Sequence, residues 1–543
     1  RSTLEAKWTN LYLRISASMD NSSEAEVLVE FGASTAHGGF VFTASKAISA
    51  LVTLILLIFL ARYLKPADFG IYGIAVSFSL LLHAGGSFGM ATAMRRRLPQ
   101  LKSKGEIFSM MSNAYALSLI VTIVVVAFGV GISGILARYA YGNESLALPL
   151  ALGAIMVFFS VVYNLSISAL IGIGKVASSS YSVIVYSIAQ LVFVLALVLA
   201  GYGIVGALLG SIAGLFIGLV LGISYMVKYI GFKFVKPSKK EMKDLGRFTF
   251  PLVVSGISVN GSKSLAVMVL GLFVSTFIVG EYNAAFKLGN FAEVIITSLS
   301  FILLPAFSKA IASVRLSDKI SSIFNSSIYY TLLLMLPIVA YLGTVSKPLI
   351  YLLYSHAYAN TPFYFIFIVV GITLSIIGTY GSNIIIGYGD TKRTTKYQVA
   401  VVLVEVALLG AMTPFMKAYG VLLSIYLIGP IIFDVIYIHA LEKSFGIRLR
   451  YKQLAVLIAA NMLLFAILLI PSMLIKGLKI ILVNAALCIA VYPILVAMLH
   501  VVSRKNLEFI ENVGKRLRMQ FITKPLVSYT MLFLRQEAKG KDF

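Results

Sequence analysis

Apolar residues gather into long blocks with short polar turns between them. The blocks cover 38–62, 68–93, 107–137, 147–171, 177–201, 203–227, 250–279, 281–306, 322–346, 361–387, 397–415, 419–440, 453–475 and 480–503. A hydrocarbon core needs about 20 apolar residues at about 1.5 Å rise each, so each block predicts one membrane-spanning α-helix. The pattern predicts an all-α integral membrane protein of about 14 transmembrane helices. Almost nothing remains for a soluble domain.

Composition agrees with that pattern. Hydrophobic residues make up 59% of the chain and charged residues 12%, about half the charge of a soluble domain. The one cysteine, Cys488, lies in the last block and rules out intrachain disulfides and cysteine-based metal clusters. Residues 1–37 are polar and mixed in charge, without the charged, apolar and cleavage regions of a signal peptide. The first apolar block is therefore expected to direct insertion.

A net charge of +24 would suggest nucleic acid in a soluble protein, but position decides here. Loops and tail on one side of the expected topology hold 32 Lys and Arg, and loops on the other side hold 7. The positive-inside rule then predicts that both termini are cytoplasmic. Topology and attraction to anionic membrane lipid account for the basicity, and no nucleic-acid partner is expected. Apart from Arg62 at the very end of the first block, only Lys46, Lys263 and Lys287 fall within spans.

Three short stretches recur in order. "FGIYG" at Phe69 to Gly73 pairs with "VGEYN" at Val279 to Asn283, each at the turn after the first span of a six-span set. Gly172 and Gly174 match Gly387 and Gly389, and Tyr202-Gly203 matches Tyr419-Gly420. Nearly constant offsets argue for a duplicated unit. Each unit has an even number of spans, so both enter from the same side and the repeats are expected to be parallel. The expected organisation is a cytoplasmic N-terminal segment 1–37, a first lobe 38–227, a basic linker 228–249, a second lobe 250–440, two further helices in 441–503, and a basic amphipathic tail 504–543. Two facing six-helix lobes can enclose a cavity that opens alternately to either side, which is the architecture of a transporter.

These residues carry a resemblance. "ILLIFLARYLKPADFGIYG" resembles the first-repeat signature of polysaccharide-export, Wzx-type flippases of the MATE-like exporter superfamily. "FPLVVSG", "MVLGLFVSTFIVGEYNAAFKLGNFAEVIITSLSFILLPAFSKA", "KPLIYLLYSHAY" and "GYGDTK" resemble the second-repeat signature and its continuation. The resemblance runs from about 38 to 503 and includes the usual fourteen spans. It implies movement of a lipid-linked oligosaccharide, on a polyprenyl phosphate or pyrophosphate carrier, from the cytoplasmic to the outer leaflet of a prokaryotic plasma membrane. Glycosyltransferases are the implied protein partners. Two departures stand out: relatives often have Gly where this chain has Lys65, and many have an acid near the position of Ala266.

A charge at mid-bilayer costs about 2.5–3.5 kcal/mol on insertion scales, so each needs a reason. Lys263 lies midway through the seventh span, with Ser255, Ser258, Asn260 and Ser262 forming a polar stretch around it. It reads either as a cation for the phosphate of a lipid-linked sugar or as the partner of a buried acid. Lys46 and Lys287 are further cavity candidates, although each is near enough to a span end to snorkel. Arg95, Arg96 and Arg97 mark a cytoplasmic portal or a plain topology signal. Glu293, Glu405 and Asp434 are the acids in span interiors, candidates for ion coupling or for neutralising the lysines. His83 reads as a hydrogen-bonded packing residue. A small-molecule antiporter of the same superfamily and a non-transporting scaffold are the competing functions.

No HExxH, Walker A or EF-hand pattern occurs. No enzyme activity, cofactor or metal is expected. In the tail, Leu507, Ile510, Val513, Leu517 and Phe521 share one helical face, predicting an amphipathic helix on the cytoplasmic leaflet.

Overall fold

The structure is a computed structural model. It describes residues 22–101, 103–231, 235–293, 317–475, 477–504, 506–508, 511 and 520–534, with side chains from 44 onward except 250–260, 317–319, 520 and 522. All regular structure among them is helical. Ten helices among the described residues are long and apolar enough to cross a membrane, as expected where backbone groups have no water to bond. Two of the ten are sharply broken. The first breaks at Lys65 (φ 61°, ψ 167°) ahead of Pro66, and the other at Gly201 (φ 93°) and Gly203 (φ 52°). These breaks fall where the sequence pattern expected one span to end and the next to begin. The seventh and eighth expected spans run partly outside the described side chains and residues.

The chain divides into two compact units, one of Arg1–Leu64 with Ile71–Met268, the other of Lys65–Gly70 with Val269–Phe543.

In the first unit, α1 is Ser22–Gly86, α2 Met90–Arg97, α3 Lys104–Ile135, α4 Ala147–Gly172, α5 Val176–Leu197, α6 Gly203–Ile230 and α7 Lys239–Phe273. A capping box starts α3: Ser103 Oγ accepts from Glu106 N at 3.2 Å, and Ser103 N donates to the Glu106 carboxylate at 3.4 Å. Met90, Met94, Met111, Val161 and Leu165 join α2, α3 and α4 in one apolar core. Close packing of α5 on α6 rests on glycines four apart. A Cβ at Gly210 would sit 2.6 Å from Val194 Cα, and one at Gly214 2.6 Å from Gln190 Cα. With no hydrophobic drive between helices in lipid, such backbone approach supplies the van der Waals contact.

In the second unit, α8 covers the described residues 276–293. After it come α9 Ser317–Leu353, α10 Thr361–Leu374, α11 Ile376–Gly387, α12 Thr391–Met416, α13 Ala418–Leu423, α14 Gly429–Phe445, α15 Tyr451–Leu474, α16 Lys479–Met498 and α17 Gln520–Phe533. The two corners singled out by sequence meet here. A Cβ on Gly70 would run into the Thr276 carbonyl oxygen, and a Cβ on Gly280 into that of Pro66. Three helices join at Asn484, whose Nδ2 lies 2.9 Å from Thr344 Oγ1, 3.0 Å from Ser472 Oγ and 3.1 Å from Leu468 O. Val496, Val502, Leu507 and Val527 form a small core between α16 and α17. Leu507 is thus packed inside the protein. The rest of the expected tail helix lies largely outside the described residues.

One arrangement occurs in both units. Asn113 Nδ2 donates to Ser109 O four residues back (2.9 Å), and its Oδ1 accepts from Ser238 N, 125 residues ahead (2.7 Å). Asn325 Nδ2 donates to Ser321 O (2.8 Å), and its Oδ1 accepts from Arg450 N, again 125 residues ahead (2.8 Å). Ser238 immediately precedes α7 and Arg450 immediately precedes α15. Each asparagine therefore fastens the entry of the helix that comes after six expected spans.

Candidate functional site

In the first unit the basic candidates collect at the end of α2. Arg97 lies half-buried with its guanidinium 4.3 Å from the Phe248 ring centroid, and Arg96 is 5.9 Å from the same ring. Arg95 bonds back to Ala91 O at 3.3 Å, and its charge is close enough to repel that of Lys46. Four cations at one end of a helix group attract an anion and disfavour further cations. Lys263 is half-buried on α7, between the buried Ser262 and Ser264. Ser255, Ser258 and Asn260 belong to the same helix but lie outside the described side chains. His83 packs as expected, its Nδ1 2.7 Å from Ser160 Oγ.

In the second unit the three acids separate into two groups. Asp434 accepts from Gly378 N at 2.7 Å. The break between α10 and α11 at Ser375 frees backbone N–H groups inside an apolar layer, and this carboxylate takes one of them. Glu293 and Glu405 instead share the neighbourhood of Tyr426, next to Tyr282. The Tyr282 and Tyr426 hydroxyls are both buried and lie close to each other. Glu405 packs on Gly429, where a Cβ would collide with its carboxylate. Two carboxylates, Glu405 buried and Glu293 half-buried, thus stand beside two buried phenols. Lys287 is half-buried one residue past Phe286, its Nζ 5.5 Å from that ring centroid. Among the described residues no three His, Cys, Asp or Glu side chains gather as a metal site.

Sequence reasoning missed Glu281. It lies in the second corner, where an acid in a turn reads as solvated, yet it is fully buried. Its carboxylate accepts from Asn360 N at 2.7 Å and Asn360 Nδ2 at 2.8 Å, and its backbone carbonyl accepts from Thr361 Oγ1 at 3.1 Å. Nearby, burial and then the Glu281 charge push the Tyr358 phenol up from its ordinary value. A second missed signal is Tyr282, one residue on, which pairs with Tyr426.

The apolar helices define a multi-pass membrane protein, and its fold is that of solved flippases and multidrug transporters. The lipid II flippase MurJ, in an inward closed conformation, is similar over 88% of this chain and 100% of its own, with a TM-score of 0.72 and 14% identity. A multidrug resistance MATE family transporter of the MOP superfamily, in an inward-facing conformation, is similar over 73% of this chain and 96% of its own (TM-score 0.62, 18% identity). An outward-facing MATE family structure matches with a TM-score of 0.51 and 17% identity over 76% of this chain and 96% of its own. Compared with curated proteins by sequence, the chain has no significant match. Residues 35–311 match the model of the polysaccharide biosynthesis protein family, and the chain belongs to that family.

Proposed function

We propose that the protein moves a lipid-linked oligosaccharide or polysaccharide precursor from the cytoplasmic to the outer leaflet of a prokaryotic plasma membrane, by alternating access and without covalent chemistry. The observation that carries this reading is the conjunction of the family match with fold similarity to a lipid II flippase over 88% of the chain. Fourteen spans in two parallel six-helix repeats, plus two C-terminal helices, are part of the proposal. The matching asparagine arrangements, each reaching 125 residues ahead, support the repeat. Both termini are cytoplasmic on this reading. Cysteines placed at Ser145 and Ser238 should then label from opposite sides of the membrane; labelling from one side overturns the topology.

Lys263 contacts the phosphate of the cargo, and Arg95, Arg96, Arg97 and Lys46 draw its headgroup to the portal. Ion coupling runs through Glu293 and Glu405, while Asp434 holds a helix start. The test is Lys263→Ala measured for glycan export and for protein abundance together. Export should be lost at normal abundance, and Lys263→Arg should restore part of it, because the charge survives with altered geometry. Normal export by Lys263→Ala refutes the anion contact. Loss of the protein itself points instead to a buried pair, whose disruption costs about 3–5 kcal/mol. The MATE-like similarity keeps a small-molecule antiporter as the second reading. In that case the same variants leave glycan export unchanged and alter drug resistance.

A further inference from the structure

Apart from these polar groups, the first unit carries a groove on the outer face of α5 and α6. Val185, Phe216, Ile217, Val220, Leu221 and Ser224 line it, and it holds about 300 Å³. Its walls are apolar apart from Ser224. Val185, Phe216, Val220 and Ser224 are exposed, so within a membrane they are open to lipid.

The groove leads to a polar head. Lys175 immediately precedes α5 and Lys228 lies in the last turn of α6, so the antiparallel pair brings both to one end. Their ammonium groups lie 4.9 Å and 5.9 Å from the Tyr229 ring centroid. The Tyr229 hydroxyl accepts from Ser178 Oγ at 3.0 Å, and Tyr225 stacks on Tyr229 at 6.4 Å, which fixes the ring that both cations approach. Both lysines are exposed and neither forms an ion pair with a described residue. Leu221, Ser224, Tyr225 and Lys228 succeed one another at helical spacing, so the apolar channel and the cationic head share one face. From Phe216 to Lys228 the helix rises about 18 Å, close to the roughly 15 Å of a single leaflet.

We propose that this groove is a binding site for one anionic phospholipid of the leaflet on the Lys175–Lys228 side. The phosphate is held between the two lysines and the tyrosine hydroxyls, and an acyl chain lies along Leu221, Val220, Ile217 and Val185. Charge at the head and length of the channel select this occupant over a zwitterionic lipid or a longer carrier chain. The site is for a resident lipid and does not depend on what cargo the protein carries.

Trp8 is the only tryptophan, so Tyr225→Trp in a Trp8→Phe background gives one fluorescent reporter at the head of the groove. The protein is reconstituted in phosphatidylcholine vesicles containing increasing fractions of acyl-brominated phosphatidylglycerol or acyl-brominated phosphatidylcholine. Quenching by the anionic lipid should reach half its maximum at about a thirtyfold lower mole fraction, as two lysines near a surface attract one anionic headgroup. Lys175→Gln with Lys228→Gln should bring the two curves together, at unchanged helicity and elution volume. If that pair does not accumulate, Lys228→Glu alone should lessen the preference. Equal quenching by the two lipids in the parent protein overturns the proposal, as does a preference that survives removal of both lysines.

Discussion

Replacing Glu281 by alanine should loosen the second unit more than any exposed charge substitution. The carboxylate is fully buried and holds the loop before α10 through Asn360 N and Nδ2. Hydrogen bonds to a charged group contribute about 1.5–3 kcal/mol each, and alanine removes both, leaving the exposed Asn360 to water. The expected destabilisation is therefore about 3–5 kcal/mol. At roughly 2 °C per kcal/mol for a unit of this size, melting should fall by about 6–10 °C. Glu281→Gln should cost less, about 1–2 kcal/mol, because its amide oxygen still accepts one of the two bonds. Cys488 supplies the assay: it is the only cysteine, half-buried in the same unit, so a thiol-reactive fluorophore reports its exposure on heating. An alanine variant that melts within about 2 °C of the parent would refute the reasoning.

The backbone suggests two further substitutions. Gly214→Leu should abolish accumulation of monodisperse protein, because a Cβ there meets Gln190 Cα at 2.6 Å, whereas Gly131→Leu, with open space around it, should be tolerated; size-exclusion chromatography of the fluorescently tagged protein separates the outcomes. Lys65→Gly should raise the melting temperature by about 2 °C, since φ 61° with ψ 167° costs a side-chain-bearing residue about 1 kcal/mol or more. Lys65→Ala should give no such gain, because the Cβ remains.

The spans were legible because a membrane helix is written in composition: a block of apolar residues has one stable conformation in lipid. The corners were legible for a different reason. Gly70 and Gly280 recur because each leaves room for a carbonyl oxygen, and the sequence displays that need as a repeated glycine. The glycines at 206, 210, 214 and 218 carried the same information about α5 and α6 and were passed over, although their spacing is plain. Glu281 was not legible. Its burial depends on Asn360, far along the chain, and nothing adjacent in sequence marks a turn acid as enclosed. The separation of Asp434 from Glu293 and Glu405 was hidden likewise, because the helix break at Ser375 that occupies Asp434 carries no proline to announce it.

The paired asparagines bear on ancestry. Asn113 and Asn325 each grip a backbone N–H 125 residues further on, at the start of a helix lying outside the six expected spans of its own set. An asparagine and the distant N–H it holds can be inherited together only if the copied segment contained both. On the duplication reading, the copied segment reached the connection that follows its sixth helix and not only the helices themselves. The entry into α7 and the entry into α15 are then one joint made twice.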